Sequence, residues 1–93
     1  MLEKTIESAL VQAVRRRGGL ALKFVSPGLN GVPDRLILMP GGRMAFVELK
    51  APGKKPRPLQ EHRFEQLRRL GFSVFVVDDM NQIGGVLNEI SAT

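Results

Sequence analysis

Apolar residues recur along the chain with two different periods. Leu2, Ile6, Ala9, Leu10, Ala13 and Val14 fall at helical spacing and predict an amphipathic helix over residues 2–17. Gly18-Gly19 ends it, after Arg15, Arg16 and Arg17 in a last turn where cations suit the helix dipole. LALKFVS, residues 20–26, reads as a strand stopped by Pro27-Gly28. RLILM (35–39) and RMAFVELK (43–50) then form a hairpin around Pro40-Gly41-Gly42. Leu59, Phe64, Leu67 and Leu70 predict a helix over 59–70, stopped by Gly71. FSVFVVD, residues 72–78, is a fourth strand whose unbroken Val74–Val77 run suits cover on both faces. MNQIGGVLNEI predicts a short final helix, weakened by Gly84-Gly85. The order α-β-β-β-α-β-α implies an α/β fold: a mixed four-stranded sheet flanked by helices, in one domain over residues 1–93.

Charge narrows the partner. The net charge is +5, and it is unevenly spread: residues 51–69 carry +4, whereas residues 70–93 carry −3 through Asp78, Asp79 and Glu89. A concentrated positive surface suits a polyanion, although charge alone fits a merely soluble basic domain equally well. The chain has no cysteine, which removes disulfides and thiolate zinc sites. MLEKTIESAL carries acids early and has no long apolar core, so it does not read as a signal peptide. No apolar run approaches the roughly 20 residues of a membrane span, and a cytoplasmic protein is expected.

The hairpin holds the candidate chemistry. In RMAFVELK, Met44, Phe46, Glu48 and Lys50 share one face, and Ala45, Val47 and Leu49 share the other. A central strand interrupted by Glu48 needs a cation beside that carboxylate, either Lys50 or a metal. Asp34 opens the opposite arm. A two-residue Gly41-Gly42 turn would set it against Leu49, on the wrong face. A three-residue loop, or a bulge near Asp34, sets it beside Glu48 or Lys50. Two neighbouring carboxylates repel, and a hard divalent cation such as Mg²⁺ or Mn²⁺ resolves the conflict. Acid, acid and lysine on a basic protein suggest phosphodiester hydrolysis. The plainer reading of the same spacing is an end-of-strand ion pair and a turn aspartate.

GVPDRLIL, AFVELKAPGKKPRPLQ and LRRLGFSVFVV together closely resemble the VRR-Nuc (virus-type replication-repair nuclease) domain of the PD-(D/E)XK nuclease superfamily. The resemblance runs from the first helix through the fourth strand and implies a restriction-endonuclease-like fold. It implies that Asp34 and Glu48, with the Leu49 backbone carbonyl, ligate Mg²⁺ (Mn²⁺ substituting), and that Lys50 is the catalytic lysine. Gln60 matches the family's glutamine. Arg57-Pro58-Leu59-Gln60 lacks the serine that often precedes it, which concerns that helix cap. The family's first-helix glutamate falls on Glu7 or Glu3, with Glu7 favoured as the one farther from the terminus. Standalone members resemble Holliday-junction resolvases, act as homodimers and are typical of phage or prophage genomes. The resemblance thus implies a Mg²⁺-dependent, structure-selective endodeoxyribonuclease for branched DNA. The alternatives are a non-catalytic DNA-binding dimer of the same fold, or a nuclease for flaps, single strands or RNA.

Lys54, Lys55 and Arg57, in the loop past the site, are candidate phosphate contacts, and Arg15, Arg16, Arg17 and Lys23 could extend that track. Arg63, Arg68 and Arg69 divide between surface and DNA. His62 reads as a surface histidine, and the five phenylalanines and Met44 read as core.

Overall fold

The computed structural model describes residues 2–92. Helix α1 (Glu3–Arg16) precedes strands β1 (Leu20–Lys23), β2 (Arg35–Met39) and β3 (Arg43–Leu49). Helix α2 (Pro58–Arg69), strand β4 (Val74–Val77), a 3₁₀ turn (Met80–Gln82) and helix α3 (Ile83–Ala92) complete the chain. The strands form one mixed sheet in the order β1-β2-β3-β4, with only the β3–β4 pair parallel. That pair is parallel because α2 carries the chain back across the sheet, as a tight hairpin cannot.

Period two along β3 divides its side chains between two cores. Ala45, Val47 and Leu49 pack with Ile6, Leu10 and Val14 of α1 and Ile83, Leu87 and Ile90 of α3. Phe46 faces the other way, onto Phe64 of α2 and Val74. Phe64 is fully buried, and removing such a ring from water stabilises the fold by about 2 kcal/mol. All five residues from Ala45 to Leu49 are buried, as a central strand requires.

The register settles the turn. Met39 pairs with Arg43 and Arg35 with Val47, so the loop is the three residues Pro40-Gly41-Gly42. Both glycines have positive φ, 84° and 75°, which makes a loop this tight possible without strain. Continued by one step, this register puts Asp34 opposite Glu48.

Several elements differ from their sequence reading. β1 ends at Lys23, although the Phe24 N–H still donates to the Asp34 carbonyl at 2.8 Å. β4 begins at Val74 and is an edge strand; its faces are covered in part because helices lie on both sides of the sheet. Gly84-Gly85 does not break α3, since Ile83, Leu87 and Ile90 bury a continuous stripe that outweighs the glycine cost. Phe72 is not core: it is 44% exposed, in a T-shaped contact with Phe46. His62 is exposed and Met44 half-buried against the α2 core.

Candidate active site

Past Arg35 and Val47 the β2–β3 ladder stops, and side chains take over its bonds. The Asp34 N–H donates to Glu48 Oε1 at 3.2 Å, and the Leu49 N–H donates to Asp34 Oδ2 at 3.0 Å. The two strand ends are thereby crossed by two carboxylates. Phe46 and Lys50 donate their N–H groups to the Ser73 and Val77 carbonyls beside β4. Strand alternation therefore turns the Leu49 peptide groups toward Asp34.

Glu48 is 1% exposed, so its charge depends on its partners. Oε2 lies 3.1 Å from Lys50 Nζ and accepts from Gln60 Nε2 at 3.0 Å. Burial, and then the Asp34 carboxylate, raise the Glu48 pKa above the ordinary glutamate value; Lys50 and the Asp34 N–H pull it back only in part. Gln60 is oriented from its other end. It is the third residue of α2, and its Oε1 accepts from the Arg57 N–H at 2.9 Å, half of a capping box. That bond aims the Nε2 group at Glu48. Arg57 caps without a side-chain acceptor, so the absent serine is made good by Gln60 and by Pro58 at the first helical position.

The loop that carries Asp34 is seated against α2. Gly31 has φ +83°, and a Cβ there would stand 3.1 Å from Leu59 Cγ and its carbonyl oxygen. Arg63 Nε fastens the same loop by donating to the Asn30 carbonyl at 2.8 Å. A residue with a side chain at 31 would push the loop, and Asp34 with it, away from Gln60.

Beside Asp34 opens a cleft of about 260 Å³, lined by Glu3, Glu7, Lys23, Phe24, Val25 and Asp34. Glu7 Oε2 is paired with Arg35 Nη2 at 3.0 Å. Among the described residues, no three His, Cys, Asp or Glu side chains are gathered as metal ligands, so Asp34, Glu48 and Glu7 do not form a ready-made triad. The donor set still suits a hard cation: carboxylate and carbonyl oxygens, with two acids against one lysine at the Asp34–Glu48–Lys50 corner.

A family model for the VRR-NUC domain matches residues 2–80. The chain belongs to the VRR-NUC family. A protein named "Putative nuclease p44", from Acyrthosiphon pisum secondary endosymbiont phage 1, is 52% identical over 79 residues, covering 85% of each chain. A solved structure described as a VRR-NUC domain superposes with a TM-score of 0.86 at 32% identity, covering 92% of this chain and 94% of that one.

In this VRR-NUC chain the basic residues separate into two groups. Lys54, Lys55 and Arg57 are exposed in the loop between Lys50 and Gln60, and Lys23 lines the cleft. Arg15, Arg16 and Arg17 are exposed at the other end of α1, about 12 Å along the helix from Glu7, and do not join that cleft. Arg17 is tied to Asn88 at 2.9 Å. Arg63 and Arg68 hold backbone carbonyls, Arg68 that of Val74 at 2.8 Å, while Arg69 is exposed. Sequence reasoning missed Arg35. Its signal was a charge in the alternating row Arg35, Ile37, Met39, where the other two residues are core.

Proposed function

We propose that this VRR-NUC protein is a Mg²⁺-dependent endodeoxyribonuclease acting on four-way or other branched DNA as a homodimer. The observation that carries the reading is the corner at Glu48: a buried carboxylate bonded to Lys50, Gln60 and Asp34, the last of which lines the acidic cleft. Asp34, Glu48 and the Leu49 carbonyl would hold the cation, with Glu7, rather than the more exposed Glu3, as the further carboxylate. When bound, Mg²⁺ supplies the charge that polarises a phosphodiester and lowers the pKa of an attacking water. Lys50 stands where its ammonium meets charge developing on the phosphate. Gln60 holds Glu48 in place. Lys54, Lys55 and Arg57 grip the flanking backbone without reading sequence.

An apolar sheet face supports the homodimer. α2 covers only the β3–β4 half of its side. Leu20 and Leu22 of β1, paired with Leu38 and Leu36, remain 57% and 42% exposed on the other half. A second copy could cover that surface and bring a second site to a two-stranded substrate. Among the described residues no helix is long and apolar enough to cross a membrane, and the cytoplasm of a bacterial or phage-infected cell is the expected setting.

The test is incubation with four-way junctions, flaps and linear duplex, in Mg²⁺ or EDTA, beside Glu48→Ala and Lys50→Ala. Metal-dependent cleavage of junctions, lost in both variants, is expected. Cleavage that survives EDTA would overturn the metal reading. Binding without cleavage of any substrate would favour a non-catalytic DNA-binding dimer.

A further inference from the structure

Arg35 occupies a place where the fold calls for an apolar side chain. Its neighbours along the same face of β2, Ile37 and Met39, lie in the α1–α3 core, and Arg35 itself is 8% exposed. Nη1 donates to the Ala21 carbonyl at 3.0 Å and Nη2 meets Glu7 Oε2 at 3.0 Å, while Nε is buried with no hydrogen-bond partner. A buried guanidinium with an orphan donor is a poor stabiliser, and a hydrophobic residue continuing the row would serve the core better. What Arg35 does provide is position. It ties β1, β2 and α1 together at one end of the sheet and fixes the carboxylate of Glu7, whose side chain is 32% exposed on the cleft wall.

Asp34 and Arg35 are consecutive, so their side chains leave β2 in opposite directions. Asp34 brings its own carboxylate to the site. Arg35 points to the α1 side and holds Glu7, which lines the same cleft as Asp34. We propose that Arg35 is a positioning residue that clamps Glu7 Oε2, leaving Oε1 directed to a divalent cation in the Asp34 cleft. The inference rests on the metal-dependent nuclease reading above. Arg35 acts through Glu7, so its loss should weaken cation binding rather than the chemistry at saturating cation.

The experiment is Mn²⁺ titration of the DNA-free protein, by electron paramagnetic resonance or calorimetry, for wild type, Arg35→Met, Glu7→Gln and the double variant. Loss of an outer partner of a metal ligand typically costs about 10–100-fold in affinity, and that range is expected for Arg35→Met. The double variant should bind no more weakly than Glu7→Gln. Cleavage assays should show a raised Mn²⁺ requirement for Arg35→Met with kcat at saturating Mn²⁺ near that of wild type. Wild-type Mn²⁺ affinity in Arg35→Met, or losses that add in the double variant, would overturn the role of Arg35 alone. Absence of Mn²⁺ binding by the wild type would overturn the metal reading and this inference with it. If circular dichroism shows Arg35→Met unfolded, Arg35→Lys keeps the charge without the two-pronged fork. Its Mn²⁺ affinity should then fall in the same direction, and an unchanged value overturns the proposal.

Discussion

Gln60 holds Glu48 from the helix that packs on its face of the sheet: its Nε2 donates to Glu48 Oε2 at 3.0 Å while its Oε1 takes the Arg57 N–H at 2.9 Å. One side chain therefore joins the start of α2 to the only carboxylate buried in the sheet among the described residues. Gln60→Ala should remove both bonds, lowering stability by about 1–2 kcal/mol in denaturant titrations. Cleavage should fall by roughly 10–100-fold, as for loss of an outer partner of a metal ligand. Gln60→Glu should be worse than Gln60→Ala, because it sets a further carboxylate against Glu48. The opposite ranking would show that Gln60 does not orient Glu48.

Glu48 gives stability an unusual pH dependence. Its pKa is raised in the folded state, so its proton is held more tightly there than in the unfolded chain. Its contribution to stability is fully present below the ordinary value near 4.5 and is lost as pH rises through the raised folded value. The difference in Tm between wild type and Glu48→Gln should therefore shift in favour of wild type as pH falls from 7 toward 4.5. A flat difference would contradict the cost assigned to the buried charge.

A bound cation should oppose that cost at neutral pH. A ligand that binds only the folded state at a hundred times its Kd adds about 2.7 kcal/mol. For a domain of this size that is a rise in Tm on the order of 10 °C or more. Calorimetry in Mg²⁺ or Mn²⁺ should show the rise for wild type, its reversal by EDTA, and no rise for Asp34→Ala.

Gly31→Ala should damage both stability and cleavage. The residue adopts φ +83°, and the new Cβ would press on Leu59 at 3.1 Å. The conformational cost alone is about 1 kcal/mol. If the loop relieves the contact by moving, Asp34 moves with it, so cleavage should drop further than thermal stability explains. Gly53→Ala is a control: it also has positive φ, but nothing stands near its Cβ.

Replacing Lys54, Lys55 and Arg57 by glutamine should weaken DNA binding evenly across sequences. The slope of log K against log salt should shrink by about one for each lost phosphate contact. The same change at Arg15 and Arg16, which lie away from the cleft, should reduce the slope less. Equal reductions would place both groups on one DNA track.

Much of this protein was legible from the chain itself. Periods of 3.6 and 2 located the helices and strands, because burial of one face is encoded by spacing alone. The triplet Glu48, Leu49, Lys50 and the preceding Pro33-Asp34 nominated the proposed site by residue type. Local pattern also limited the turn, since Asp34 can meet Glu48 through a three-residue loop or a bulge near Asp34, but not through a plain two-residue hairpin. Tertiary packing decided the rest. It chose the pairing that sets Asp34 opposite Glu48, and it kept α3 whole through two glycines because Ile83, Leu87 and Ile90 had a core to enter. It left Phe72 at the surface, where α2 ends. It also joined Arg35 to Glu7, 28 positions earlier, to hold a carboxylate that helical spacing could nominate but not place. Spacing along a chain reports which faces are buried; which charged groups meet across those faces depends on how the elements pack.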